Sequence, residues 1–214
     1  MSKKHARKML RRMASGEPVE VAPTIATMTK LARLAAIAQQ FGYEYADIRQ
    51  GGGPQGNGYV MLIVPDPSPE ARARAERNRA AYPNASDGGA LPPLDPGAVE
   101  LLKARITFDI TAKYTDRQRI LLTAVGAVPL ALPIGFGLAT GVTAVVITVA
   151  VWAAVMALIP VGLRVNRRYR AKCTALLQAA GFTPVTDPTG RMRYLPPGGR
   201  LPGHGNPFAA GSSS

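Results

Sequence analysis

The chain has 214 residues, of which 47% are hydrophobic and 18% are charged. Its 26 Lys and Arg residues against 13 Asp and Glu residues give a formal net charge of +13. This length allows one or two domains, and this share of apolar residues argues against wholesale disorder. A single cysteine excludes both a disulfide framework and a cysteine-based structural zinc site.

The first segment along the chain, residues 1–23, contains a predicted basic amphipathic helix over residues 3–13. Its cations recur about every four residues on one face, and apolar side chains occupy the other face. Such a helix binds an anionic membrane surface or nucleic acid phosphates, or it remains a solvated basic tail. The apolar positions are Ala6, Met9, Leu10 and Met13.

Residues 24–82 are predicted to form a cytoplasmic α-β-β-α unit. Apolar periodicity and turn signals indicate a helix over 27–41, strands over 43–49 and 59–64, and a helix over 68–81. The glycine-rich stretch between the strands contains no lysine and is followed by a strand. It therefore predicts a hairpin loop rather than a phosphate-binding loop.

The last of these helices carries four arginines, which predict a contact surface for phosphate or for an acidic partner. The competing interpretation is a solvated surface helix, because its apolar positions are nearly all alanine. Aromatic residues do not alternate with the arginines, so a stacking platform for single-stranded nucleic acid is not indicated. The four residues are Arg72, Arg74, Arg77 and Arg79.

Residues 83–97 are predicted to be a Pro/Gly-rich linker, and residues 98–119 a helix that leads to the membrane. Within that helix Ile106, Phe108 and Ile110 alternate with other residues. Alternation of this kind is also typical of a strand, so a short strand is the alternative for this part of the segment.

A run of 44 residues without a charged side chain extends from Ile120 to Leu163. One helix of that length would be about 66 Å long, whereas the hydrocarbon core of a bilayer is about 30 Å thick. We therefore predict two transmembrane helices, at about 120–139 and 142–162. Pro and Gly residues in the first leave a re-entrant segment as the alternative there.

The predicted fold class is thus a membrane protein with a two-helix transmembrane hairpin plus a small cytoplasmic α+β module. Cations flank the uncharged run on both sides, whereas the turn between the spans carries none. The positive-inside rule then places both termini in the cytoplasm and the protein in the inner or plasma membrane. An excess of Arg over Lys points to a bacterial source. The flanking cations are Arg117, Arg119, Arg164, Arg167, Arg168, Arg170 and Lys172.

Residues 164–195 are predicted to form a basic helix followed by a cytoplasmic β-hairpin, with strands over 182–186 and 192–195. This order of elements resembles that of the earlier α-β-β segment. The two hairpins would then pair into one four-stranded antiparallel sheet, unless the similarity is coincidence. Residues 196–214 are rich in Gly, Pro and Ser and are predicted to be a disordered tail.

The sequence indicates no catalytic, cofactor or metal site. His5 and His204 both lie in terminal segments. Cys173 has no histidine beside it in sequence, although the nearby cations Arg170 and Lys172 would favour its thiolate. The predicted spans contain no ionisable residue, which argues against a pump or carrier. We therefore expect a protein that is not an enzyme and that binds no cofactor.

Three functions remain, and all of them have the lipid bilayer as a partner. The first is an anchor, adaptor or assembly subunit that binds a cytoplasmic protein, with homo-oligomerisation compatible with it. The second is a membrane-tethered protein that contacts nucleic acid as an accessory to DNA transfer. The third, a holin-like pore former, explains the large cytoplasmic part poorly. Five cations lie within Arg164–Lys172, so the net charge is better evidence for topology than for a nucleic-acid partner.

Overall fold

In the computed structural model the chain divides into two units. The α/β unit comprises Met1–Ile110 together with Cys173–Ser214, and the helical unit comprises Thr111–Lys172. The α/β unit therefore combines sequence from before and after the uncharged run. The residues that the structure describes are 3–23, 26–52, 58–112, 118, 120–121, 125, 137, 141–187 and 190–197.

The described elements alternate between helices and strands along most of the chain. The helices are α1 (Lys3–Met13), α2 (Met28–Gln40), α3 (Pro69–Ala81), α4 (Pro96–Ala112) and α5 (Gly141–Ala179), with a short 3₁₀ turn at Ala85–Asp87. The strands are β1 (Val19–Val21), β2 (Tyr43–Gly52), β3 (Gly58–Pro65), β4 (Thr183–Thr186) and β5 (Met192–Leu195).

The strands form two separate antiparallel sheets, one with the order β1-β3-β2 and one made of β4 and β5. The expectation of a single four-stranded sheet from the two hairpins is therefore wrong for the described strands. In the larger sheet Tyr45 pairs with Ile63 and Asp47 pairs with Leu62. Ala46 is consequently the extra residue of a β-bulge, and such a residue is left without a partner in the ladder.

Strand β1 lies in a stretch for which the sequence analysis predicted no regular element. It pairs with β3, and its side chains alternate, with Val19 and Val21 buried around an exposed Glu20. This Val-Glu-Val alternation is a strand signal, but three residues are too few to stand out in a sequence window.

Helix α1 packs its apolar face into the core of the α/β unit. Ala6, Met9, Leu10 and Met13 are at most 7% exposed and belong to the main cluster of buried apolar residues. The phenolic oxygen of Tyr43 on β2 donates a hydrogen bond to the backbone oxygen of Met13 at 2.7 Å. The apolar face of α1 is therefore buried within the α/β unit and is not available to insert into a membrane surface.

Helices α2 and α3 meet where the chain leaves α2. Gly42 has φ +84°, a conformation that side chains rarely adopt, and a Cβ there would lie 3.0 Å from the Cβ of Ala75 on α3. Ala71 and Ala75 are buried, so the alanines of α3 form its packing face. Glycine at this position thus permits both the sharp exit and the close approach of the two helices.

Helix α4 continues without interruption through Ile106–Ile110, so the alternative of a short strand there is wrong. The preceding Pro/Gly-rich stretch also contributes to the core. Ala85 is 5% exposed, and Leu91 and Leu94 pack against the buried apolar cluster. This stretch is therefore a packed part of the unit and not only a connection between elements.

Helix α5 has 39 residues and contains Pro160 in its interior. Its most apolar window has a mean hydropathy of 2.6, and only 6% of that window is buried. The core helix of a soluble protein would be mostly buried, so α5 is long and apolar enough to cross a membrane and lacks the burial of a core helix. Most of the first predicted span, and the predicted tail from residue 198, lie outside the described residues.

Candidate functional site

A cluster of ionisable side chains lies in the interior of the α/β unit, between β2, α4 and β5. Five residues from three distant parts of the sequence meet there, and each is at most 7% exposed. Ionisable groups are rarely buried unless they are paired, so each charge in this cluster requires a partner. This ionic cluster consists of Tyr45, Asp47, Arg105, Asp109 and Arg193.

Arg193 on β5 is the centre of the ionic cluster. It donates to the carbonyl oxygen of Ala46, the bulge residue of β2, and its Nη2 lies 2.8 Å from Oδ1 of Asp47. The same nitrogen lies 3.6 Å from Oδ2 of Asp109 on α4. One guanidinium therefore joins the hairpin that follows α5 to a strand and a helix that precede the uncharged run.

Asp109 and Tyr45 form the second part of the cluster. The phenol of Tyr45 donates a hydrogen bond of 2.7 Å to Oδ2 of Asp109. Burial raises the pKa of Asp109, although Arg193 and Arg105 oppose this effect. Burial and the charge of Asp109 raise the pKa of Tyr45 well above its usual range. The phenol therefore stays protonated at neutral pH and acts only as the donor.

Arg105 is the least satisfied member of the cluster. Its guanidinium carbon lies 5.0 Å from the ring centroid of Tyr45, in a cation–π arrangement. Its Nε atom is buried and has no hydrogen-bond partner among the described residues. Burial lowers the pKa of Arg105, but an arginine remains charged in proteins. A charged group with unused donors therefore lies in the interior of the unit.

An aromatic pair lies alongside the charges. The rings of Phe108 on α4 and Tyr194 on β5 meet edge to face, with centroids 4.8 Å apart and an interplanar angle of 87°. This geometry is the favourable one for aromatic rings. It supplies an apolar contact between the same two elements that Arg193 connects by charge.

A cavity of about 580 Å³ adjoins the cluster on the side of Arg105. Its walls come from the end of α2, the start of β2, the turn into α3, the first half of α4, and residues beside the C-terminal hairpin. Two arginines and two acids are among the lining residues. These four residues are Arg74, Arg105, Glu44 and Asp66.

Glu44, which lines this cavity, makes the stability of the α/β unit depend on pH. Burial, followed by the charge of Asp66, raises the pKa of Glu44. The folded state therefore binds a proton more tightly than the unfolded state, and stability falls as the pH rises through the folded pKa. We expect Glu44→Gln to abolish this fall, so that its stability relative to wild type is higher at about pH 7 than at about pH 4. Thermal unfolding of both proteins at several pH values is the measurement, and parallel profiles would contradict it.

The four arginines predicted as a contact surface have different environments. Arg74 donates to the carbonyl oxygen of Gln39, and Arg72 donates to that of Pro67. Arg77 and Arg79 are exposed, and neither makes an ion pair within the described part of the chain. Arg74 is therefore committed to packing α3 against the end of α2, and the contact surface stays a prediction for the three exposed arginines.

The predicted membrane-flanking cations that can be located lie on one continuous helix. Most of them are exposed along the segment of α5 that follows the apolar window, with Arg170 half-buried. Arg117 and Arg119 lie outside the described residues. The cations located on α5 are Arg164, Arg167, Arg168, Arg170 and Lys172.

The environment of Cys173 does not favour the thiolate that its neighbours in sequence suggest. Its side chain is 7% exposed, and burial raises the pKa of its thiol. The neighbouring cations in sequence therefore do not produce a reactive thiolate, since desolvation has the larger effect. Among the residues with described positions, no three His, Cys, Asp or Glu side chains are grouped so that they could hold a metal ion.

No protein-family model, curated protein or solved structure matches this chain.

Proposed function

We propose that the chain is a two-span membrane protein with cytoplasmic termini, and that its α/β unit is an adaptor for a cytoplasmic protein. The observation that carries this proposal is the connection made by Arg193. It joins sequence from before and after the uncharged run into one buried cluster with Asp47. A folded unit closed in this way, with an apolar helix between its two parts in sequence, has the organisation of a domain held at a membrane.

A contact within the helical unit supports a further membrane span in addition to α5. Ile120, at the start of the first predicted span, lines a cavity of about 390 Å³ together with Val155, Ile159 and Asn166 of α5. Ile120 thus lies beside the end of the predicted second span, as expected for the first residue of an antiparallel hairpin. Leu121 and Val125 are 64% and 63% exposed, as expected for side chains that face lipid.

The edges of the larger sheet argue against strand addition as the mode of partner binding. Arg12 donates to the carbonyl oxygen of Glu20 on β1 at 3.2 Å, and Arg193 donates to that of Ala46 on β2. Both outer strands therefore have a backbone acceptor occupied by an arginine, as in sheets protected against edge pairing. The exposed cations Arg77 and Arg79 of α3 are the better candidates, and they suit an acidic protein surface.

The adaptor function is tested by crosslinking in cells with the charge-reversal variant Arg77→Glu/Arg79→Glu. We expect wild type to capture a defined protein that survives nuclease treatment, and the variant to lose it. Arg33→Glu, an exposed site on α2, is the control and should retain the partner. Recovery of lipid alone, or equal capture by all three proteins, would refute the proposal. Release of the partner by nuclease would instead support the nucleic-acid alternative, which the same arginines would serve.

The orientation is tested by maleimide labelling. The native Cys173 is buried and therefore labels poorly, so Cys173→Ser is combined with Ala80→Cys at an exposed position of α3. We expect an impermeant maleimide to label this variant only after lysis, because the positive-inside rule places α3 in the cytoplasm. Labelling in intact spheroplasts would reverse the orientation.

A further inference from the structure

The cavity of about 580 Å³ contains a buried cation that lacks a hydrogen-bonding partner. Arg105 lines the cavity, is 6% exposed and has no partner for its Nε in the described ranges. Buried polar atoms in proteins nearly always have a partner, and an unsatisfied one is destabilising. The guanidinium of Arg105 makes no hydrogen bond within the described part of the chain, and an unpaired cation that lines a cavity indicates an acceptor that belongs to a ligand.

The geometry of Arg105 restricts the chemistry of that acceptor. Its guanidinium is held near the ring of Tyr45, with 5.0 Å between the guanidinium carbon and the ring centroid. A guanidinium fixed in this way presents a planar fork, which binds a carboxylate through two parallel hydrogen bonds. A carboxylate is therefore the group that fits at Arg105.

The opposite charge is also present at the cavity. The side chain of Glu44 makes no hydrogen bond in the part of the chain with described positions, and the pKa of its carboxyl is raised by burial and by the charge of Asp66. Asp66 uses Oδ1 to accept from the backbone nitrogen of Ser68 at 2.9 Å. A cationic ligand group would relieve the repulsion between these two acids.

The lining carries no net charge and has an apolar part. Two acids and two arginines balance each other, which disfavours a doubly charged phosphate. Leu101, Leu102 and Phe182 provide apolar surface. The volume lies within the range of about 300–1,000 Å³ typical of sites for small molecules.

We propose that this cavity binds a small zwitterion, an amino acid with an apolar side chain. Its carboxylate lies on Arg105, its ammonium group lies between Glu44 and Asp66, and its side chain packs against Leu101. This site goes beyond the proposed adaptor function and does not depend on it, because the ligand contacts none of the exposed arginines of α3.

Binding is tested by calorimetry on the full chain in detergent, with four probes. L-leucine carries both charges, L-leucinamide lacks the carboxylate, 4-methylpentanoate lacks the ammonium group, and inorganic phosphate is the competing anion. We expect saturable binding of L-leucine with a dissociation constant below about 1 mM. Loss of either charged group should weaken binding at least about tenfold, as for other hydrogen bonds to charged groups.

Two variants test whether Arg105 binds the carboxylate of the ligand and Glu44 binds its ammonium group. Arg105→Lys retains the charge but loses the fork, so L-leucine and 4-methylpentanoate should both bind about tenfold more weakly. Glu44→Gln should weaken L-leucine about tenfold and leave 4-methylpentanoate unchanged. Arg33→Ala, at an exposed arginine outside the cavity, should change neither. If Arg105→Lys does not fold, the difference between the effects of Glu44→Gln on the two probes decides.

Three results would overturn the proposal. The first is no saturable binding of L-leucine up to about 10 mM. The second is equal binding of L-leucine, L-leucinamide and 4-methylpentanoate, which would mean that only the apolar wall is used. The third is tighter binding of phosphate than of L-leucine, which would identify a site for an oxyanion alone. A negative result leaves the crosslinking test of the adaptor function unaffected, so the two proposals fail separately.

Discussion

Arg193→Ala is expected to lower the free energy of unfolding of the α/β unit by about 3–5 kcal/mol, the usual effect of removing one partner of a buried ion pair. The side chains of Arg193 and Asp47 are each 9% exposed, and that of Asp109 is 1% exposed. The substitution therefore leaves two buried acids without their central cation. Hydrogen exchange is the measurement, and amides of β4 and β5 should exchange faster by roughly two to four orders of magnitude.

The matched control is Arg191→Ala on the same hairpin. Its side chain is 24% exposed, and its Nη2 lies 3.9 Å from Oδ1 of Asp47. A partly solvated pair at this distance should contribute less than about 1 kcal/mol. Adding Asp47→Ala to Arg193→Ala should recover part of the loss, because one of the unpaired acids is then removed. Equal effects of the two arginine substitutions would show that Arg193 does not fasten the hairpin.

Val149→Arg combined with Trp152→Arg is expected to release the chain from the membrane. The two residues lie on α5 and are 57% and 38% exposed, so no packing in the unit compensates the new charges. Each arginine at the centre of a span opposes insertion by about 2.5–3.5 kcal/mol, which gives about 5–7 kcal/mol together. Extraction at alkaline pH followed by centrifugation is the measurement, and the variant should move to the soluble fraction.

The control for this experiment is Val165→Arg, on the same helix but among its basic residues. Val165 is 61% exposed, and an arginine there lies beyond the predicted span. It should leave the chain in the membrane fraction, since a flanking cation favours the cytoplasmic side. If wild type is itself extracted, or if the double variant stays in the pellet, α5 does not anchor the protein.

Local signals were enough to predict most of the helices and hairpins. Thr27 accepts a hydrogen bond from the backbone nitrogen of Lys30, and Ser68 accepts one from that of Ala71, at the two predicted helix starts. Gly181 has φ +79° and lies two residues after the end of α5. Helix caps and positive-φ glycines depend on a few neighbouring residues, so they can be recognised in a single sequence.

The ionic cluster could not be predicted in the same way. Asp109 lies between apolar residues of α4, and Arg193 lies between Met192 and Tyr194, so each reads as an isolated charge. The pairing of Arg193 with Asp47 joins residues that are 146 positions apart. No periodicity connects such distant residues, and only the folded arrangement identifies them as partners. The burial of α1 was missed for the same reason, because an amphipathic pattern does not say what covers its apolar face.

The position of Arg193 near the end of the chain has a consequence for synthesis. Ala46 and Asp109 leave the ribosome well before Arg193, whose contact with Ala46 spans 147 positions. At about 5–20 residues per second, the 84 residues from Asp109 to Arg193 take about 4–17 s to translate. In the proposed topology the uncharged run passes to the insertion machinery during that interval, while the acids of β2 and α4 still lack their cation. The nascent N-terminal part is therefore still open at that stage, and the hairpin of β4 and β5 closes it afterwards.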